Sequence, residues 1–321
     1  MAQYILKRSV QSLILLFVIM SAVFVGGRQI GDPASLMLGG QATEEQVRQL
    51  RRSLGLEAPL WEQYVGFLTN IIRGDFGESM RYGYAHTMTT GPEAQGQAVL
   101  PLVLERLPAT LSLAFLAILL AVAIAVPLGC FAAMRPGSAI DRAVTVVSLA
   151  GVSLVQFWLG LMLILIFAVQ LGWLPTSGYG SGGLAYAILP ALTLAARPIG
   201  RLAQIVRSSM LDELSKPYIA AARAKGASEM RLVFGHGLKN AAIPIMTMLG
   251  DELANVMTGA IVVEVVFGWP GIGALVVSAL SIRDLPLIEA SIFVIAIMVI
   301  LINLAVDLSY KYLNPKVRLH A

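Results

Sequence analysis

The chain has little charge for its length. Of 321 residues only 13% are Asp, Glu, Lys or Arg, against 57% hydrophobic residues, whereas soluble domains carry about 25% charged residues. Together with a mean hydropathy of +0.77, that scarcity excludes an ordinary soluble domain and makes this an integral membrane protein. The sequence lacks dyad-alternating ten-residue segments, which excludes a barrel and leaves helices as the way to satisfy backbone in lipid. A single cysteine, Cys130, excludes an internal disulfide; standing in an apolar run, it reads as small core filler. No GxxxxGK[ST] phosphate loop is present, so the chain cannot hydrolyse ATP by that route. Neither a His/Cys/Asp cluster at metal-ligand spacing nor a supported Ser/His/Asp set occurs, so no metal site is expected and the chain is not an enzyme on its own.

What is present is a series of apolar runs. Lys7 and Arg8 precede an uncharged stretch at 9–27, long enough to span. It is longer than the apolar part of a secretory signal, and no A-x-A site follows, which predicts an uncleaved first span. Residues 28–105 form a small, mostly helical soluble insert. Within it Thr43 and Gln46 suit a capping box, Val47, Leu50 and Leu54 follow at helical spacing, and 82–97 reads as a loop. The second span covers 107–134, with Pro127 expected to kink it. After the turn RPGSAIDR at 135–142, no charge occurs until Arg197. GWLPTSGYGSGG divides that run into a third span at 144–171 and a fourth at 184–210. A fifth at 243–267 is broken by FGWPGIG; Asp284 and Pro286 close the outer segment, and a sixth runs over 287–310. The expectation is an all-α polytopic membrane protein with six transmembrane helices.

Basic residues orient it. Thirteen of the 23 Lys and Arg fall at the amino end, in the 135–142 turn, in the 207–239 block and in the tail, while the short loops of the other side hold only Arg283. By the positive-inside rule both termini are cytoplasmic and the insert faces outward. Between spans four and five lies a block at 212–244, DELSKPYIAAARAKGASEMRLVFGHGLKNAAIP, dense in charges of both signs and too polar for hydrocarbon. Residues 219–225 are good helix formers, Gly226 supplies a helix end, and Ser228 suits the cap of a second helix carrying Met230, Leu232, Val233 and Phe234. A helix, turn and helix on one membrane face form a docking surface for a soluble partner. His236 reads as an interfacial histidine rather than a ligand.

That block resembles the cytoplasmic coupling loop of binding-protein-dependent ABC importer permeases, in particular the dipeptide, oligopeptide and nickel group. The family's Glu-Ala-Ala consensus, with Gly after three further residues, corresponds to Ala220, Ala221, Ala222 and Gly226; Ala220 stands where the consensus has Glu, so no acidic contact carries over there. His236, Leu238, Asn240, Ala241 and Pro244 also fit the peptide group. GDPASLMLGG, RRSLGLEAPLWEQY and RGDFGES in the insert, ERLPATLSLA, FWLGLMLILIFAVQLGWLPTSG, RSSMLDEL, EVVFGWPGIGALV and DLSYKYLNPKVR resemble family segments in order and spacing. The resemblance is poorest at 82–100.

The resemblance implies a type I ABC importer permease fold in the bacterial inner membrane, organised as 1–27 (amino end and first span), 28–105 (extracytoplasmic insert), 106–310 (permease domain with the 212–244 loop) and 311–321 (cytoplasmic tail). It implies half of a translocation path for di- or oligopeptides or related small solutes. The implied partners are a second homologous permease, two cytoplasmic ABC ATPase subunits and an extracytoplasmic substrate-binding protein. ATP and Mg are used by the ATPases, and no cofactor is bound by this chain. Tyr218, Ala220, Ala221, Ala222, Arg223, Lys225 and Gly226 would then contact the ATPase and transmit its closure to spans four and five.

Inside the membrane, Arg197 and Arg201 in span four and Asp251 and Glu252 in span five should avoid lipid, since each charge at a helix centre costs roughly 2.5 to 3.5 kcal/mol. Arg197 and Asp251 reach similar depth in antiparallel helices, which leaves two readings open: a structural ion pair, or a lining of the solute path that meets the charged ends of a peptide. Glu264, Trp269, Pro270 and Gly271 form the outer gate or receptor-facing segment, with Glu264 expected to anchor it. A rival function is a self-sufficient secondary transporter or channel that uses the intramembrane charges as a relay.

Overall fold

Backbone in hydrocarbon must bond within its own segment, so the long apolar runs are helical. The structure, a computed structural model, describes residues 2–30, 34–35, 43–53, 55–79, 97–180 and 183–313. Along the chain come α1 (Ala2–Ile30), α2 (Glu44–Ser53), α3 (Leu60–Arg73), a short antiparallel pair β1 (Glu78–Ser79) and β2 (Gln97–Ala98), and α4 (Val99–Met134). Then follow α5 (Ala139–Ser153), α6 (Gln156–Leu163), α7 (Leu184–Leu214), α8 (Pro217–Ala224), α9 (Leu238–Phe267), α10 (Ile272–Ile282) and α11 (Leu285–Leu313). Wider π-helical turns prolong α6 through Ile164–Gln170 and lead into α9 through Arg231–Gly237. The loop expected at 82–97 lies outside the described residues as far as 96, as do most of the 31–40 motif and the tail beyond 313.

Two compact units divide the chain, residues 1–109 with 270–300, and residues 110–269 with 301–321. In the first, Phe76, Val99, Val103, Ile272, Leu275 and Leu287 belong to one apolar core. Phe24 lies with its ring 5.3 Å from both Tyr64 and Phe67, which ties α1 to α3. The expected capping box at α2 is present: the Thr43 amide donates to Gln46 Oε1 at 2.9 Å and the Gln46 amide to Thr43 Oγ1 at 3.4 Å. Asp284, which the sequence marks as the end of the outer segment, is buried. It accepts from the Ser79 hydroxyl and from the Leu287 amide, and so both holds β1 and caps α11.

In the second unit α7 is the central helix, with α5 and α9 against it. Small residues let backbones approach, as is usual between membrane helices. A Cβ on Gly200 would stand 2.4 Å from the Ser148 carbonyl oxygen, and one on Gly151 would stand 2.6 Å from that of Ala196. The two glycines therefore form a reciprocal contact between α5 and α7.

Among the described residues three helices are long and apolar enough to cross a membrane, Leu6–Gln29, Val99–Met134 and Leu285–Asp307, and up to five spans result if each of two bent helix pairs counts as one. The helix α7 is 31 residues long but carries Arg197, Arg201 and Arg207, which lowers its apolarity below that of the others. The third span is not the single helix expected at 144–171. Leu154 and Val155 are extended, with ψ of 133° and 125°, and α5 and the α6 segment meet at 110°. The tight Gly151 contact holds the end of α5 on α7, and the chain turns immediately after it. The second helix expected after Ser228 does begin there, with the Leu232 amide donating to the Ser228 carbonyl at 3.0 Å, but it is not separate: it runs through the π turn into α9, with Leu232 and Val233 buried. Pro127 lies inside α4 without ending it.

Gly200→Val tests the reciprocal contact. Overpacking against backbone costs about 1 to 3 kcal/mol, so purified variant protein in detergent should melt at a clearly lower temperature; an unchanged melting temperature would contradict this packing.

Candidate functional site

Pro217 at the first position of α8 supplies a φ already suited to a helix. Ile219 is fully buried and fastens the helix, while Tyr218, Ala220, Ala221, Arg223 and Lys225 are exposed and Ala222 is half-buried. Gly226 ends it at φ 85°, with the Ala227 amide donating back to the Ala222 carbonyl at 3.2 Å. Nothing lies within 4 Å of where its Cβ would be, so the glycine is required by backbone conformation and not by crowding. Arg223 makes two hydrogen bonds to Glu229, of 2.8 and 3.1 Å, closing the turn.

A polar chain holds α8 to its neighbours. The Tyr218 hydroxyl donates to Glu213 Oε1 at 2.6 Å and accepts from Asn240 Nδ2 at 2.8 Å, and Lys216 bonds the other Glu213 oxygen. The helix is thus tied to the last turn of α7 and the first turn of α9. Desolvation pushes the Glu213 carboxyl up, but the bonds from Lys216 and Tyr218 outweigh it and hold the group below the usual carboxylate range. Desolvation and the adjoining Glu213 raise the Tyr218 hydroxyl above its ordinary value. Glu213 and Asn240 were not singled out as site residues from sequence, although both fall in motifs that carry the family resemblance.

Within the apolar part of this unit, Arg201 Nη1 donates to Glu252 Oε1 at 2.7 Å, joining α7 to α9. Glu252 is completely buried, and its second oxygen, Oε2, has no hydrogen-bond partner. Asp251, one residue earlier, is exposed. Arg197 lies four residues before Arg201 and lines a cavity of about 330 Å³ together with Gln156, Pro198, Glu252, Asn255 and Gly259. The direct bond thus joins the second member of each charged pair, while Arg197 remains on the cavity wall. A larger cavity, about 630 Å³, lies in the other unit among α1, α3 and the start of α11 and includes none of the predicted site residues.

At the far end of α9, Glu264 is fully buried and accepts from the Thr110 hydroxyl at 2.7 Å. Gly268 takes φ 59°, and the Trp269 amide donates to the Glu264 carbonyl at 2.8 Å, a left-handed helix stop. The buried Trp269 ring meets Tyr179 edge-on at 4.8 Å, and the Gly178 amide donates to the Phe267 carbonyl at 2.8 Å. These contacts hold residues 267–269 at the end of α9. In the other unit, Pro270 is half-buried and Gly271 is the extended cap of α10. An ion pair that the sequence did not single out joins Asp141, at the start of α5, to Arg207 of α7, with Nη2 to Oδ2 at 2.8 Å.

Residues 125–319 match the family described as the binding-protein-dependent transport system inner membrane component, and residues 1–114 match its N-terminal companion family. The chain belongs to this permease family. The permease is 39% identical, over 99% of its length and all of the relative's, to the "Probable peptide ABC transporter permease protein y4tP" of Sinorhizobium fredii. It is 36% identical to the oligopeptide transport system permease protein AppB of Bacillus subtilis, over 99% of both chains, and 38% identical to the glutathione transport system permease protein GsiC of Escherichia coli, over 99% of both. Its fold is that of the inward-facing MetNI methionine ABC transporter, with a TM-score of 0.54 at 19% identity over 66% of this chain and 96% of that one. The permease is accordingly a multi-pass inner-membrane subunit of an ABC importer. It is non-catalytic, and it works with ATPase subunits and a binding protein.

Glu213 gives a pH prediction. A carboxyl held below its usual range contributes stability at pH above that range and loses it as pH falls through the range. Hydrogen-exchange protection factors for 217–226 should therefore be high at pH 7 and fall below about pH 4, near the ordinary glutamate value. Glu213→Gln should show low protection at both; full protection of α8 in that variant would refute the clip.

Proposed function

We propose that the chain forms half of the translocation path of an ATP-driven importer for di- or oligopeptides or related small solutes, and that α8 is the helix through which the ATPase acts on it. The observation that carries this reading is an exposed short helix, fastened by Ile219 and clipped through Glu213, Tyr218 and Asn240 to both α7 and α9. Tyr218, Ala220, Ala221, Ala222, Arg223, Lys225 and Gly226 would meet a groove of the ATPase, so that closure on ATP and Mg in that subunit moves α7 and α9 together. The peptide, oligopeptide and glutathione permeases among the relatives support the substrate class. The rest of the assembly would be a second homologous permease, two ATPases and an extracytoplasmic receptor, set in lipid.

In this reading six spans cross the membrane, with both termini and the 212–244 loop cytoplasmic and 28–105 outside. Arg197, Arg201, Asp251 and Glu252 lie along the path, and Glu264, Trp269, Pro270 and Gly271 fix its outer gate near the receptor. Family membership disfavours a self-sufficient carrier or channel.

Tagged protein should co-purify with nucleotide-binding subunits and lose them when 217–226 is replaced by a Gly/Ser linker. Gly226→Val forces a β-branched residue to positive φ, which costs about 1 to 2 kcal/mol or more. It should reduce transport severely relative to ATP hydrolysis; normal transport in that variant would overturn coupling through the bend.

A further inference from the structure

Polar side chains of three helices line the 330 Å³ cavity: Gln156 of α6, Arg197 of α7, and Glu252 and Asn255 of α9. Glu252 is fully buried and spends one oxygen on Arg201, while Oε2 has no partner. Asn255 donates one Nδ2 hydrogen to the Asp251 carbonyl at 2.9 Å, and its Oδ1 can accept. Gln156 lies in the first turn of α6, just after the bend at Leu154 and Val155. Its amide sits directly on the α9 backbone: a Cβ on Gly259 would stand 2.8 Å from Gln156 Oε1 and 3.0 Å from Nε2. Gly259 thus makes room for that amide on the wall of the cavity that Glu252 also lines. A buried carboxylate oxygen without a donor is costly in an apolar setting unless something that passes supplies one. A protonated amine supplies up to three donors and a compensating charge. Arg197, on the same cavity wall, offers a cation for a carboxylate.

We propose that this cavity is a subsite for the free amino group of a small zwitterionic solute, with Glu252 Oε2, the Gln156 amide oxygen and Asn255 Oδ1 as its acceptors. The inference rests on the reading of this chain as a peptide-class permease and deepens it: Gln156, Asn255 and Gly259 become specificity-determining residues for an unblocked amino terminus. Solutes with a blocked amine would leave Oε2 unpaired and pass less well.

The test uses the purified permease–ATPase complex without its receptor, so that receptor selectivity plays no part. Saturation-transfer NMR measures binding of trialanine and of N-acetyl-trialanine. The wild-type complex should favour the free amine by about tenfold, the usual effect of one charged hydrogen bond. Glu252→Gln, Gln156→Leu and Gly259→Ala, the last acting by displacing Gln156, should each bring the ratio close to one. Glu252→Gln also weakens the bond to Arg201 and could disturb folding, so the Gln156 and Gly259 variants decide the matter, with the elution profile of the complex as a control. Equal wild-type binding of the two peptides, or a preference that survives in both of those variants, overturns the subsite. Failure of the chain to assemble with ATPases would instead overturn the broader reading.

Discussion

Charge in hydrocarbon must be answered by charge, and the second unit depends on that constraint. Glu252 is fully buried in the middle of an apolar helix, and its partner there is Arg201, at 2.7 Å. Such a pair adds little net stability compared with a well-packed apolar pair, but removing one partner strands the other at a cost of about 3 to 5 kcal/mol. Its consequence is therefore geometric. The register of α9 against α7 is fixed by one contact that neither helix can leave.

The same helix repeats the device. Arg201, Arg207 and Glu213 follow one another at six-residue intervals along α7 and bond, in turn, to Glu252 of α9, Asp141 of α5 and Tyr218 of α8. At 3.6 residues per turn, six residues advance the side chain by about 240°, so the three groups point about 120° apart around the axis, spaced by about 9 Å of rise. Each can thus engage a different neighbour. Arg201, within the apolar part of the helix, has a fully buried partner, whereas Glu213 near its end bonds through groups that solvent reaches. Under the proposed coupling, a displacement of α8 would be carried by Glu213 into a helix whose other two anchors tie it to α5 and α9.

Much of this was legible in the sequence because it rests on local rules. The Thr43 and Gln46 box and the helix end at Gly226 each depend on a few consecutive residues, and each formed where the pattern put it. The extent of the apolar runs matched most of the long helices to within a few residues at one end or both. What the sequence did not disclose was tertiary. The break at Leu154 and Val155 has no proline or glycine within it; it follows from the backbone contact of Gly151 with Ala196 on a helix more than 30 residues away. The Arg201 to Glu252 partnership could not be chosen over Arg197 and Asp251 by depth alone, because a shift of one turn on α7 and one residue on α9 decides it. Asp141 looked like the charge of a turn, since nothing local reveals that the later turns of α7, with Arg207, pass beside it.

The replacement of the family's consensus Glu by Ala220 becomes intelligible in these terms. A carboxylate at that place on α8 would have to find a cation, but the cations at hand are already engaged: Lys216 with Glu213, and Arg223 through two bonds with Glu229. The fold thus supplies its own acidic partners from outside α8, on the end of α7 and on the far side of the Gly226 turn. Ala220 and Ala221 remain exposed, small and uncharged. A helix surface of that kind lets another backbone approach closely, as small residues do between helices generally, and it asks no buried ion of the partner. The bracing of α8 and the neutrality of its exposed face then have one origin. The charges that brace α8 belong to its flanks, where they are paired within the chain, and under the proposed coupling they would not have to be re-paired when a partner closes on it.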